Sequence, residues 1–97
     1  MIATRGQLPN NSDLAGLEVH GQVAGDAVVS GGSAALYGQV GGNLTVQQGA
    51  QVVVYGQICG DLIVQGQVKL LGWVIGDVIE LDGGSFEYLP GSKIGTA

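Results

Sequence analysis

Short alternations of apolar and other residues recur along this chain, and each is interrupted by the same glycine-flanked signature. Leu17 and Val19, Ala34 and Leu36, Val52 and Val54, and Val68 and Leu70 come just before a signature. Val23, Val40, Ile58 and Val74 lie inside one, and Ala27 and Val29, Leu44 and Val46, and Leu62 and Val64 follow it. A period of two belongs to the β-strand, and no segment holds a helical period long enough to compete. Each run is too short to hide an apolar face by itself, so the pattern predicts many short strands that bury their apolar positions by stacking.

The signature reads His20-Gly21-Gln22-Val23-Ala24-Gly25-Asp26, then Tyr37-Gly38-Gln39-Val40-Gly41-Gly42-Asn43, then Tyr55-Gly56-Gln57-Ile58-Cys59-Gly60-Asp61, then Leu71-Gly72-Trp73-Val74-Ile75-Gly76-Asp77. From Gly21 to Gly38, Gly56 and Gly72 the steps are 17, 18 and 16 residues, and Gly25, Gly42, Gly60 and Gly76 keep the same steps. The variable length falls between signatures, where Ser30-Gly31-Gly32-Ser33 and Gln47-Gln48-Gly49 carry turn chemistry. Weaker copies stand at both ends. Arg5-Gly6-Gln7-Leu8-Pro9-Asn10-Asn11 lacks the second glycine, and Gly91-Ser92-Lys93-Ile94-Gly95 reads with Lys93 in the aliphatic slot. Atypical end repeats are expected where they cap a stacked core. The expectation is an all-β fold: one parallel β-solenoid of about five coils of 16 to 18 residues, with 1–16 and 86–97 as end coils around regular coils at 17–85.

Three features of the repeat lead to finer expectations. Coils of this length turn sharply about three times, and the signature glycines are read as corner residues that supply positive φ. Asp26, Asn43, Asp61 and Asp77 share one position and are read as acceptors of turn amides. Gln7, Gln22, Gln39 and Gln57 form a second column, with Trp73 above it, whose amides are expected to bond along the rod. In the fourth repeat Glu80 takes the slot of Val29, Val46 and Val64, so either a bulge brings Leu81 inward or the core is ending.

Composition narrows the function classes. Nineteen glycines make about a fifth of the chain, against a usual share of roughly 7%. Apolar residues stay at 45%, which separates the chain from disordered glycine-rich linkers. A net charge of −5, with only Arg5, Lys69 and Lys93 basic, argues against nucleic acid and against an anionic membrane surface. No apolar run has the length of a membrane span, and Cys59 has no second cysteine to pair with. A soluble, cytoplasmic protein is expected.

No residue set points to catalysis. A glycine-rich phosphate loop needs a following helix, and none is predicted. His20 is the lone histidine, in a slot that Tyr37, Tyr55 and Leu71 fill in later coils, so the slot asks for bulk rather than a base. One histidine plus Cys59 falls short of a zinc site, and Cys59 shares a packing slot with Ala24, Gly41 and Ile75. A single-file row of acids does not converge six to eight oxygens on a calcium ion. Glu18, Glu80 and Glu87 read as exposed acids rather than an acid–base pair. A flat ice-binding face would repeat threonine, and Thr45 stands alone in its column. No catalytic, metal or cofactor site is assigned, and no small-molecule substrate is expected. An exposed aromatic patch of Tyr37, Tyr55 and Trp73 is the one candidate surface on the rod sides.

The serial Val-x-Gly-Asp coils resemble the bactofilins, bacterial polymer-forming cytoskeletal proteins. The resemblance runs over residues 17–95 and is carried by Gly25-Asp26, Gly60-Asp61, Gly76-Asp77 and the closing Pro90-Gly91-Ser92-Lys93-Ile94-Gly95. It implies a right-handed, roughly triangular β-helix that polymerises end to end into nonpolar filaments without nucleotide, with Phe86 in the place of a phenylalanine near the C-terminal coil. The chain departs from that family in lacking a convincing N-terminal membrane-targeting segment, since Met1-Ile2-Ala3-Thr4 is short and is followed by Arg5, so membrane association is not expected. The Val-Tyr-Gly at 54–56 is also similar to the C-terminal β-helix of the division inhibitor MinC, which implies a discrete module that dimerises and binds a protein partner.

Both readings lead to the ends of the rod, where unpaired strand edges lie over an apolar core and invite pairing. The N-terminal end carries Ile2 and Leu8, with Pro9 as a blocker. The C-terminal end carries Phe86, Tyr88, Leu89 and Ile94, with Pro90 and Lys93 as blockers. The expected partner is another copy of the chain, or a second protein.

Overall fold

A computed structural model describes residues 2–4, 6–8, 12–81, 83–88 and 93–94. Seventeen strands lie along them: β1 (Ile2–Thr4), β2 (Gln7–Leu8), β3 (Ser12–Asp13), β4 (Leu17–Val19), β5 (Gln22–Val23), β6 (Ala27–Val29), β7 (Ser33–Leu36), β8 (Gln39–Val40), β9 (Leu44–Val46), β10 (Gln51–Val54), β11 (Gln57–Ile58), β12 (Leu62–Val64), β13 (Gln67–Leu70), β14 (Trp73–Val74), β15 (Val78–Glu80), β16 (Ser85–Tyr88) and β17 (Lys93–Ile94). No helix occurs among the described residues.

Every third strand pairs in parallel with the one before it, which makes three sheets. Sheet 1 runs β1-β4-β7-β10-β13-β16, sheet 2 runs β2-β5-β8-β11-β14-β17, and sheet 3 runs β3-β6-β9-β12-β15. The chain is therefore a three-sided parallel β-solenoid of five full coils and the start of a sixth. Successive coils lie about 4.8 Å apart, the spacing of any β-ladder.

Strict register turns the alternating pattern into columns. In sheet 1 Ala34, Val52, Val68 and Phe86 stand over one another, as do Val19, Leu36, Val54 and Leu70. In sheet 2 the column is Leu8, Val23, Val40, Ile58, Val74 and Ile94. Sheet 3 supplies Ala27, Leu44, Leu62 and Val78, and beside them Val29, Val46 and Val64. From coil 2 to coil 5 the middle members of these columns are almost wholly buried and form one aliphatic core. Leu14, outside the alternating pattern, also turns inward and is 1% exposed.

The corners differ in how they accommodate length. The corner from sheet 1 to sheet 2 and the corner from sheet 2 to sheet 3 keep constant length through the regular coils. All the variation falls in the corner from sheet 3 to sheet 1, which holds residues 30–32, 47–50, 65–66 and 81–84. This corner also carries left-handed glycines, among them Gly32 (φ 67°) and Gly49 (φ 88°).

Apart from Gly6 (φ 91°) and Gly25 (φ 153°), the signature glycines are needed for another reason than positive φ. Gly21, Gly38, Gly56 and Gly72 have ordinary backbone angles, but a β-carbon on any of them would overlap the carbonyl oxygen of the matching glycine one coil below. That oxygen accepts the N–H of the next residue along, as in Gln39 N to Gly21 O at 3.0 Å and Gln57 N to Gly38 O at 3.0 Å. The coils touch backbone to backbone at this corner, so glycine is set by close approach.

Two further expectations change with the register. Glu80 pairs with Val64 in step and is exposed, and Leu81 is exposed as well, so no bulge forms and the core ends at this corner. At the last strand Trp73 pairs with Lys93 and Val74 with Ile94. Lys93 thus follows the Gln–Trp column, and Ile94 holds the aliphatic register that the sequence pattern gave to Lys93. The last strand is thus displaced by one residue from the spacing counted from Gly91, which lies outside the described residues.

Candidate functional site

Of the six residues expected to mediate self-association, the five that are described fall at opposite ends of the solenoid. Ile2 is in β1 and Leu8 in β2, the outermost strands of sheets 1 and 2 at the N-terminal end. Phe86 and Tyr88 are in β16 and Ile94 in β17, outermost at the other end. Leu89 lies outside the described residues. Leu8 and Phe86 are half-buried and pack on the aliphatic core, so each covers an end of its column rather than projecting from it. With β3 and β15, six strands present an outer edge that has no partner strand among the described residues. Such an edge carries backbone donors and acceptors ready to pair.

The Asp–Asn column is a hydrogen-bonded ladder with a direction. Asp26 Oδ1 accepts the Asn43 amide at 2.9 Å, Asn43 Oδ1 accepts the Asp61 amide at 2.7 Å, and Asp61 Oδ1 accepts the Asp77 amide at 2.9 Å. The turn amide that each side chain satisfies therefore belongs to the next coil, not to its own turn. The same oxygens fill the space where a β-carbon would stand on Gly42, Gly60 and Gly76. Glycine and its following acid thus act as a unit: the glycine leaves a notch, and the acid below plugs it. This explains why the signature pairs Gly with Asp or Asn.

The glutamine column is less regular. Gln22 Nε2 donates to Gln39 Oε1 at 3.2 Å, but Gln39 Nε2 turns to Cys59 Sγ at 3.1 Å instead of continuing to Gln57. The aromatic residues also group differently from expectation. His20, Tyr37 and Tyr55 stack face to face, with ring centroids 4.8 and 4.7 Å apart and planes 0° and 2° from parallel. Trp73 lies across a corner in sheet 2, above Gln57, and does not join the two tyrosines. His20 Nε2 meets Glu18 Oε1 at 2.6 Å on the exposed surface. Desolvation within the stack, then the Glu18 carboxylate and the Tyr55 ring, push the Tyr37 phenol above its ordinary value.

Two outer faces were not singled out by sequence reasoning. Sheet 1 carries a shallow groove of about 470 Å³, floored by Ala35 and Val53, walled by Tyr37 and Tyr55, and closed by Glu18 and Lys69. Sheet 3 presents the outward column Val28, Thr45, Ile63 and Ile79. The signal for the second was present: Ala27-Val28-Val29 and Leu62-Ile63-Val64 are apolar throughout, unlike a strand with one wet face.

At the first corner, Asp13 Oδ2 accepts the Ser30 hydroxyl at 2.5 Å, while its Oδ1 accepts the Ala15 and Ser30 amides. The hydroxyl bond first, then the amides, hold the Asp13 carboxyl below its ordinary value against a small desolvation penalty. Among the described residues no three His, Cys, Asp or Glu side chains converge as a metal site. No described helix is long and apolar enough to cross a membrane. The described residues offer edges, ladders and faces. Comparison with protein-family models, curated proteins and solved structures finds no match to this chain.

Proposed function

We propose that the protein is a structural subunit of the cytoplasm that polymerises end to end, without nucleotide, in the manner of a bactofilin. The observation that carries this reading is the set of six edge strands, three at each end, that have no partner strand among the described residues. Three outermost strands at each end are parallel edges over an aliphatic column, Leu8 at one end and Phe86 at the other. A second copy added in register would extend the same columns and satisfy the edge donors and acceptors. Each subunit has two such ends, and association through both propagates into an open filament. No cofactor or substrate has a part in this scheme.

The sheet 1 groove supports a second reading, a discrete adaptor that holds a protein partner against Tyr37 and Tyr55 as a MinC-type module would. Sedimentation and negative-stain microscopy of the pure protein, with and without nucleotide and across salt, separate the two. Pelletable filaments in every nucleotide condition support the structural subunit. A sharp low-mass species at high concentration, with no polymer in any salt, would sink it and leave the adaptor.

A further inference from the structure

Three rings form one column on the corner that follows sheet 1. His20, Tyr37 and Tyr55 each follow a buried strand-end residue, Val19, Leu36 and Val54, and those three pair with one another in register. The Tyr37 and Tyr55 planes are 2° from parallel, and their centroids are 4.7 Å apart, which is the ladder spacing itself. The two rings are 44% and 46% exposed, so a reagent in solution reaches both. Two phenols are thus held side by side on backbone that cannot slip without breaking the core.

The geometry points to a modification site: one-electron oxidation couples Tyr37 to Tyr55 as a dityrosine, a covalent rung between the coil of β7–β9 and the coil of β10–β12. The co-reactants are hydrogen peroxide and a haem peroxidase that oxidises phenols. Each phenol gives up one electron and its hydroxyl proton, which leaves a phenoxyl radical with spin at the carbons ortho to oxygen. One ortho carbon of each ring then joins the other in a C–C bond. Each of these carbons loses its hydrogen as a proton while the oxygen of the same ring takes one up, and two phenols return. Two hydrogen atoms leave in all, and one hydrogen peroxide becomes two waters. The coupling needs neither assembly nor a partner.

Proximity selects this pair. The tyrosine torsion about Cβ–Cγ is soft, so both exposed rings can turn from face-to-face to edge-to-edge while their backbones stay in place. Their centroids already stand at nearly the spacing of two rings joined by a single bond. Groups held in contact react at effective concentrations far above that of protein in solution, so coupling within one chain outruns coupling between chains. Tyr88, the third tyrosine, lies in β16, two coils beyond Tyr55 and about 10 Å further along the rod. Desolvation, then Glu18 and the Tyr55 ring, push the Tyr37 phenol up, so it keeps its proton near neutral pH and loses it together with the electron.

The test treats the full chain with a haem peroxidase and hydrogen peroxide, and follows dityrosine fluorescence, reducing gels and intact mass. The expected product is a monomer lighter by two hydrogen atoms, in which residues 37 and 55 stay joined after chymotrypsin cuts at Leu44. Tyr37→Phe and Tyr55→Phe keep the ring stack and should each abolish this product, while Tyr88→Phe should leave its yield unchanged. His20→Tyr added to Tyr55→Phe should restore it, because His20 stands 4.8 Å from Tyr37 on the other side. Leu71→Tyr added to Tyr55→Phe should not, because residue 71 is two coils from Tyr37. Dityrosine found mainly in dimers and larger species overturns the assignment, as does a monomeric product that survives Tyr37→Phe or Tyr55→Phe. So does a cross-link from either tyrosine to His20 or Trp73, or no product while free tyrosine is coupled in the same reaction.

Discussion

The side-chain oxygen of Asn43 receives the backbone N–H of Asp61, one coil further along the rod, at 2.7 Å. The bond joins residues 18 apart in sequence and belongs to a chain of three such bonds running one way. It gives the column a structural task that a carboxylate and an amide perform equally well, and it explains why an asparagine fits between aspartates.

Asn43→Ala should therefore leave the Asp61 amide without its acceptor. Loss of a hydrogen bond to a part-buried amide costs about 1–2 kcal/mol, read as a lower urea midpoint. Asn43→Asp should keep the bond but put a fourth carboxylate between Asp26 and Asp61, in one row with Asp77 at steps of about 4.8 Å, each of the two new neighbouring pairs costing about 1 kcal/mol in water. Salt at about 1 M should restore most of that second loss and none of the first. Equal salt responses in the two variants would show that charge is not what distinguishes them.

The glycines divide into two kinds with different tolerance. Gly38→Ala drives a methyl group into the Gly21 carbonyl and should cost about 3 kcal/mol or prevent folding. Gly31→Ala meets nothing nearby and needs no unusual φ, so its effect should stay within about 0.5 kcal/mol. Thermal or urea unfolding of the pair checks this, and similar losses in both would contradict the close-approach account.

Asp13 sets an acid-side dependence. Its carboxyl is held below the ordinary aspartate value by Ser30 and Ala15, so its stabilising effect is complete above the unfolded pKa and disappears as pH falls through the lower folded value. Urea midpoints should decline below about pH 4, and Asp13→Asn should lower the midpoint at neutral pH while flattening that decline. A variant with the wild-type slope would remove Asp13 from the acid transition.

Phe86 covers the top of a sheet 1 column, over Val68. Phe86→Leu should preserve assembly. Phe86→Arg should abolish pelletable polymer by placing an unpaired charge against the apolar end contact, while far-UV circular dichroism stays β-rich. Because the ring also packs on the core, some loss of stability is expected, of about 1–3 kcal/mol. Filaments of normal yield from Phe86→Arg would exclude this end from the junction.

The coil and its core were legible because a repeat with period-two apolar positions has few ways to bury them. Val23, Val40, Ile58 and Val74 needed only the equal spacing of their glycines to be placed in one column. The half-legible features were those where contacts run between coils at corners. Gly38 is a glycine in the sequence for any of several reasons, and only the overlap with Gly21 decides which. Trp73 and Tyr55 look adjacent in the pattern, yet Tyr55 stands in the corner that follows sheet 1 and Trp73 in sheet 2. Ile94 could be aligned correctly only once Val74 was seen to pair with it.

The sequence by itself determined the inward columns of the regular strands, though not Leu14 or Ala50 at the corners, because alternation and repetition are one-dimensional properties that survive any choice of corner geometry. Tertiary structure alone decided which side chain plugs which notch and which outward columns lie bare. Those facts depend on corners whose length changes by a residue or two from coil to coil, and on backbones that meet at van der Waals distance, where a displacement of one residue exchanges every partner.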